Sequence, residues 1–474
     1  MVALCLLAGC ARQVYQADPI HPEQSADAFE ARRLDAPELR SYMESQGYAA
    51  EAFPLRQWDL RALTLAAFHY NPKLAVAWAE WRVARAREIT AGQKTPPSVS
   101  GVAEHHSDTG GGISPWSLGV GITIPIETNG KRQARIDEAT HLSESAQLAV
   151  GQQAWEIRAE VRAALAECRA ALWKRQLLER EIALQSAVVE MLQKRRDGGL
   201  VSDIDLANAR LQWQRLKNTQ TAETAHLDEL LARLAGVIGV PAAELRGVAL
   251  DVALPLPENG ELKNGTMQRA ALLNRLDIRA ALARYDAAEA RLRLEIARQV
   301  PDIALTPGYM FDQGDNVWSL GFSMLLNFVN ANRNQGPIAE AEAQRKVAAR
   351  QFEALQMRVI GEQQSAFALY QSRLVEVEKA DAVLESQRQN AARGERQFNA
   401  GYIDRLEWTT AQMEALIAEQ GRLDAVIRAE QALAALENAL QYPLDGGECA
   451  DGVEPPSSAP CFATAESNPS GTRP

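Results

Sequence analysis

The feature that most constrains this chain is that it is written twice. The tetrapeptide Trp116-Ser117-Leu118-Gly119 returns 202 residues later as Trp318-Ser319-Leu320-Gly321. Leu74 and Pro97 answer to Ile278 and Pro301 at a shift of 204, and Gly199 and Ala209 to Gly401 and Ala411 at 202. The order of elements repeats as well: a helix of middling length, two short strands, a very long helix, a glycine break and a further helix. Such self-similarity is read before any local signal, because it dictates the plan of the whole fold.

The long segments of each half run from 131 to 196 and from 337 to 398 with no proline inside the second after its first residue and none inside the first. At about 1.5 Å per residue each spans roughly 90 to 100 Å, several times an ordinary globular helix. Rods of that length pack side by side rather than folding into a compact body. Ile157, Val161, Leu165, Cys168 and Leu172 recur at helical spacing along the first, and Met357, Ile360, Phe367, Leu374 and Val377 along the second, so each rod is expected to bury one stripe. Small residues such as Ala163, Ala164, Ala170 and Ala171 permit close, coiled-coil-like approach.

Between the helices lie four candidate strands. From 117 to 127, Leu118, Val120, Ile122, Ile124 and Ile126 alternate with Ser117, Gly119, Gly121, Thr123 and Pro125. From 317 to 326, Trp318, Leu320, Phe322, Met324 and Leu326 alternate with Val317, Ser319, Gly321, Ser323 and Leu325. Their partners, 98 to 106 and 302 to 311, are joined to them by Gly/Ser/Asp-rich loops. A ten-residue strand with one greasy and one small, polar face suits a membrane barrel, with lipid outside and water inside. Four strands cannot close such a barrel, and an open edge is not tolerated in lipid, so sister chains must complete it. Three copies would supply twelve strands and twelve helical staves.

Composition narrows the alternatives. A net charge of −11 and a 46% hydrophobic content describe an acidic, core-forming chain, which argues against a nucleic-acid partner. No apolar run reaches the length of a spanning helix. Leu7-Ala8-Gly9-Cys10 has the form of a bacterial lipobox, with Cys10 as the lipidation site. Of the remaining cysteines, Cys5 falls in the leader, Cys168 reads as a small buried apolar residue, and Cys449 and Cys461 could pair in an oxidising compartment. There is no His-Glu-x-x-His, phosphate loop or nucleophile elbow, so neither an enzyme nor a cofactor is expected. His105 and His106 are adjacent on a strand and face opposite ways, a poor metal pair.

The glycine breaks hold the informative polar positions. Ser202-x-x-Asp205 and Asp404-x-x-Glu407 occupy equivalent places in the two halves and read as capping boxes, in which an oxygen accepts free helix N–H groups and an acid three residues on reaches back. Around a symmetry axis the same carboxylates would form acidic rings that attract cations.

Taken together, the residues resemble the TolC-like outer-membrane factors over nearly the whole chain. The resemblance rests on the duplicated plan, on Asn71-Pro72-Lys73-Leu74, on Ile124-Pro125-Ile126-Glu127 followed by Asn129-Gly130-Lys131-Arg132, and on Gly199-Leu200-Val201-Ser202-Asp203 and Gly401-Tyr402-Ile403-Asp404-Arg405. The Gly-Lys-Arg element leans toward the heavy-metal branch, whereas Leu325-Leu326-Asn327-Phe328 departs from the proline-containing pattern. The resemblance implies a mainly α fold with a small β part: a homotrimer whose twelve-stranded outer-membrane barrel, four strands per chain, continues as a periplasmic helical barrel. It implies a lipid-anchored exit duct for small molecules or metal ions, working with a periplasmic adaptor and an inner-membrane pump of the resistance-nodulation-division type. Glu407, Asp404 and Asp205 become candidate aperture acids, and Gly199, Leu200, Gly401, Tyr402 and Arg405 candidate adaptor contacts.

The expected division is a leader at 1–9, an anchored segment at 10–59, a first repeat at 60–246, a linker at 247–259, a second repeat at 260–442 and a disordered tail at 443–474. Within the first repeat the hairpin spans 98–127 and the helices 131–196 and 203–236; within the second, 302–327, 337–398 and 404–441. A type I protein secretion channel would share this architecture. A soluble periplasmic coiled-coil scaffold would account for the rods and leave the hairpins unexplained.

Overall fold

The structure, a computed structural model, describes residues 14–49, 53–107, 110–253, 273–324 and 334–444. Its elements in chain order are α1 (Pro22–Glu30), α2 (Pro37–Ser45), α3 (Leu60–Tyr70), α4 (Pro72–Ala91), β1 (Ser98–His105), β2 (Trp116–Ile126), α5 (Lys131–Asp197) and α6 (Asp203–Ile238). They continue with α7 (Leu276–Ala297), β3 (Ile303–Asp312), β4 (Asp315–Met324), α8 (Gln335–Asn399) and α9 (Arg405–Leu440). Cys10, Cys449, Cys461 and the Leu325-to-Phe328 element lie outside the described residues.

Local chemistry explains where the helices begin. The Asp59 side chain accepts the Ala62 N–H at 2.7 Å to open α3, and Asn71 accepts the Lys73 N–H at 2.9 Å to open α4, with Pro72 in the first turn where its missing N–H costs nothing. Helices α5 and α8 run 67 and 65 residues without interruption. Each is about 100 Å long at 1.5 Å per residue.

The four strands form one antiparallel sheet in the order β1-β2-β3-β4, so the hairpins of the two repeats join through β2 and β3. Pairing sets Leu118 opposite Phe311, Val120 opposite Tyr309, and Tyr309 opposite Trp318, which gathers most of the large apolar side chains on one face, Met310 and Val317 excepted. That face is bare: Trp318, Leu320 and Phe322 are 75–79% exposed. On the other face lie Ser117, Gly119, Gly121, Gly308, Ser319 and Gly321. At Gly308 a Cβ would sit 2.9 Å from the Ser319 hydroxyl, which would have to rotate aside to admit it.

A polar joint fixes the sheet to the helices. Asp302 accepts the Thr128 N–H at 2.9 Å and the buried Lys131 ammonium at 2.6 Å, while Arg135 grips Glu127 through two bonds of 2.5 and 3.0 Å. Asn129 and Gly130 turn the chain with φ of +56° and +71°. The Glu127-to-Arg132 motif is thus the mechanical connection between strand and rod.

The main core lies halfway along the rods, where Leu39 and Met43 of α2 and Leu63 of α3 meet Ile157, Val161, Leu165 and Cys168 of α5 and Leu234 and Ile238 of α6. The α5 stripe is the one read from sequence. The α8 stripe agrees at Phe367, Leu374 and Val377 and differs above them. Met357 is 71% exposed and Ile360 is exposed, while Val359, Gln363, Ala366, Tyr370, Val377 and Leu384 are buried. Gln363 donates to the Ala439 carbonyl at 3.3 Å, so a satisfied polar residue and an alanine interrupt the apolar period that marks the true face.

Candidate functional site

Helices α5 and α6, and likewise α8 and α9, are antiparallel pairs whose turns lie at one end of the rods. At the first turn Gly199, with φ +73°, donates to the Arg196 carbonyl at 2.9 Å, and Leu200 donates to Arg195 at 2.9 Å. At the second, Gly401 with φ +79° donates to Phe398 at 2.9 Å, and Tyr402 donates to Gln397 at 2.9 Å. Both are Schellman turns, in which a left-handed residue, most cheaply glycine, satisfies the last carbonyls. Every donor and acceptor maps onto its counterpart at the shift of 202. In such turns the residue after the glycine usually folds back onto the helix; here Leu200 and Tyr402 remain 80% and 83% exposed, beside Ile204 at 72%.

The two caps read from sequence are present, with a difference. The Ser202 hydroxyl accepts the Asp205 N–H at 3.2 Å and donates to the Asp205 carboxylate at 2.7 Å, so the acid reaches back to the cap's hydroxyl rather than to a backbone N–H. Asp404 accepts the Glu407 N–H at 2.9 Å on one oxygen and Arg195 of α5 at 2.5 Å on the other. These two contacts, the backbone N–H first and then the guanidinium, hold the Asp404 carboxyl below the usual aspartate range. Glu407 does not reach back at all. It is exposed, and its carboxylate makes no hydrogen bond or ion pair among the described residues. Arg405 is exposed one residue past the cap, and Phe398 stacks on Trp408 with centroids 5.0 Å apart to brace the second turn.

Sequence reasoning missed the ionic contacts between α5 and α9. Arg158 and Arg162 both reach Glu437, Arg169 lies 3.2 Å from Glu430, Lys174 3.4 Å from Asp424, and Arg180 3.0 Å from Glu419; Arg195 with Asp404 ends the series at the turns. Each of these pairs takes its cation from α5 and its anion from α9 or, for Asp404, from its N-cap. Residues of like charge at helical spacing were the signal, yet it carries meaning only once the two helices are known to be neighbours.

Two other expectations concern reactive side chains. Cys168 is free and wholly buried, with its thiol pushed up to about 11 by burial, far from a reactive thiolate. His105 packs edge-on against Trp116 with centroids 4.7 Å apart, whereas His106 meets the Ser117 hydroxyl at 3.1 Å, so the two rings are occupied separately. Among the described residues no group of three or more His, Cys, Asp or Glu could hold a metal ion, and no helix is long and apolar enough to cross a membrane.

The model of the outer membrane efflux protein family matches residues 66–240 and 268–440, one match for each repeat. The chain belongs to that family. Among curated relatives, the nickel-cobalt-cadmium resistance protein NccC of Alcaligenes xylosoxydans xylosoxydans is 24% identical over 326 residues, covering 68% of this chain and 72% of that protein. The cobalt-zinc-cadmium resistance protein CzcC of Cupriavidus metallidurans is 27% identical over 223 residues, 46% of this chain and 52% of its own length. Among solved structures, the outer membrane protein VceC of Vibrio cholerae superimposes with a TM-score of 0.66 at 19% identity, covering 81% of this chain and 96% of that one. CusC does so with a TM-score of 0.66 at 18% identity, covering 84% and 96%. As an outer membrane efflux protein the chain acts in efflux at the outer membrane.

Proposed function

We propose that this outer membrane efflux protein is the passive exit duct of a tripartite metal-ion efflux system. The observation that carries the reading is the sheet: one face of bare aromatic and branched side chains, the other mostly of glycine, serine and threonine with Met310 and Val317 among them, and edges on β1 and β4 that no described strand pairs. Such edges close in lipid only against further strands, and three copies give a ring of the size that leaves a lumen. The names of NccC and CzcC, resistance proteins for nickel, cobalt, cadmium and zinc, supply the substrate class. In this reading Cys10 carries the lipid, and a periplasmic adaptor joins the duct to a resistance-nodulation-division pump that provides the energy.

The turns are the end that meets the adaptor. Leu200 and Tyr402 present apolar surface that none of the described residues covers, on glycine-hinged turns at Gly199 and Gly401, with Arg405 as a polar neighbour. Glu407 is the aperture acid, because its carboxylate has no partner among the described residues, while Asp404 is engaged by Arg195 and Asp205 by the Ser202 hydroxyl. Opening then requires the turns to splay, exchanging contacts at the closed tip for contacts with the adaptor.

Two measurements test this. A deletion strain should become sensitive to nickel, cobalt or cadmium and regain resistance with the intact gene; unchanged metal tolerance with raised sensitivity to drugs would reject the substrate class. In planar bilayers Glu407→Gln should lower the preference for cations while leaving thermal stability unchanged, and an unaltered selectivity would remove Glu407 from the aperture.

A further inference from the structure

The apolar face of the sheet is unequal at its two ends. Trp116, Tyr309 and Trp318 lie in the half nearer the hairpin turns, while the end that meets the rods closes on Ile126, Ile303 and Met324. Tryptophan and tyrosine hold a membrane strand at a fixed depth, because the ring is apolar and its polar atom stays at the water boundary. Among the described residues of that face the rod end has neither, so another chemistry must set its depth. This rests on the sheet lying in the membrane, as proposed above.

Cations stand at that end. Arg87 lies near the top of α4, Lys94 in the link from α4 to β1, and Arg132 in the first turn of α5; all three are exposed and form no ion pair among the described residues. Arg132 is set in place by its Nε, which donates to the Gly92 carbonyl at 2.6 Å, and both of its Nη groups are left without a partner among those residues. Carboxylates of the same layer are already engaged, Glu127 by Arg135, Asp302 by Lys131 and Glu295 by Arg298, and Glu88 is half-buried on α4. The duplication supplies a comparison. At the shift of 204 Arg87 answers to Arg291 and Lys94 to Arg298, and both of those are bound to the buried Glu295. The second repeat neutralises these two positions from within, whereas the first leaves them to a partner outside the described chain. Ile89, 73% exposed, stands between Arg87 and Lys94.

We propose that Arg87, Lys94 and Arg132 bind the phosphate groups of anionic phospholipid in the leaflet that faces the rods, and that this contact sets the depth of the sheet at its rod end. A guanidinium fork matches two phosphate oxygens at once, and an ammonium adds a point charge. An apolar side chain among cations suits the same boundary, with hydrocarbon above and charged headgroups around it. The headgroup layer is about 5–8 Å thick on each side of the hydrocarbon. Lys94 precedes Ser98, the start of β1, by four residues, and Arg132 follows Ile126, the end of β2, by six, so both long side chains stand beside that layer.

The test uses the full-length protein in vesicles of equal parts phosphatidylglycerol and phosphatidylcholine, with the two lipids retained on the protein counted by native mass spectrometry. Flotation with the vesicles is checked first, since a protein that does not insert overturns the reading of the sheet whatever the cations do. Given insertion, the wild type should retain phosphatidylglycerol in excess, and Lys94→Gln with Arg132→Gln should lower that excess roughly fivefold for each cation removed. Lys94→Gln alone, which breaks no bond of the fold, should show the single step. Lys346→Gln, at an exposed position of α8 eleven residues below its start, should leave the excess unchanged. Phosphatidylglycerol should raise the thermal midpoint of the wild type and not of the double variant, while in pure phosphatidylcholine the two should melt together. No excess in the wild type, or the same excess in the variants, would overturn the proposal. A midpoint lowered equally in both lipids would overturn it too, by showing that the cations serve carboxylates of a neighbouring copy.

Discussion

Asp404 concentrates two tasks in one carboxylate, the cap of α9 and the anchor for Arg195. The ion pair is half exposed, with side chains 34% and 45% accessible, so it contributes about 0–1 kcal/mol. The cap contributes about 1 kcal/mol when compared with alanine. Because asparagine caps nearly as well as aspartate, Asp404→Asn should keep the thermal stability that Asp404→Ala loses, while both should raise single-channel conductance to the same extent if the contact with Arg195 restrains the tip. The folded-state pKa of Asp404 is depressed, so its contribution is complete above the ordinary aspartate value and fades as pH falls through the lower folded value. Conductance should therefore stay flat through neutral and mildly acid pH and rise only below the usual carboxylate range; a rise near pH 6 would contradict it. The caps were legible in sequence because a cap acts over three residues. Arg195 was not, since it lies 209 positions from its partner and meets it only through helix packing.

Among the elements, the turns and the buried charges between α5 and α9 make the sharper tests. Gly199 has open space around it, so Gly199→Ala bears only the left-handed backbone cost of about 1–2 kcal/mol. Gly239, with φ +93°, would also place a Cβ 2.8 Å from the Tyr70 carbonyl, and Gly239→Ala should lower the thermal midpoint further. Equal midpoints would show that Tyr70 yields freely. Glu430 is buried with its carboxyl pushed upward by desolvation, against the pull of Arg169. Removing Arg169 alone strands that acid and should destabilise by about 3–5 kcal/mol, whereas Arg169→Met with Glu430→Leu should recover most of the loss. A double variant no more stable than the single would mean that the pair, or the bonds of Arg169 to the Asp251 carbonyl and carboxylate, holds the helices. At this scale the sequence showed the rods, the hairpins and the α5 stripe, because apolar periodicity follows burial there. It found the lower part of the α8 stripe, where Phe367 and Leu374 pack on the core and Val377 is buried, and misplaced its upper part, because Gln363 and Ala366 occupy the buried face and Met357 and Ile360 do not.

For the whole molecule, the repeat determined the plan and the sheet determined where it must reside. Alternation in β2 and β4 was plain in sequence because both faces of those strands are chemically uniform, whereas β1, with Gly101 and Ala103 on the face that carries Leu118 and Val120 on β2, showed little of it. The number of copies follows from closure rather than from any residue. The most direct test of a ring with lipid outside and water inside is a cysteine scan of β4 in the intact outer membrane, read with a membrane-impermeant thiol reagent. The account requires Ser319, Gly321 and Ser323 positions to react and Trp318, Leu320 and Phe322 positions to be protected and open instead to a lipid-borne quencher. Uniform labelling along the strand, or the opposite alternation, would contradict it.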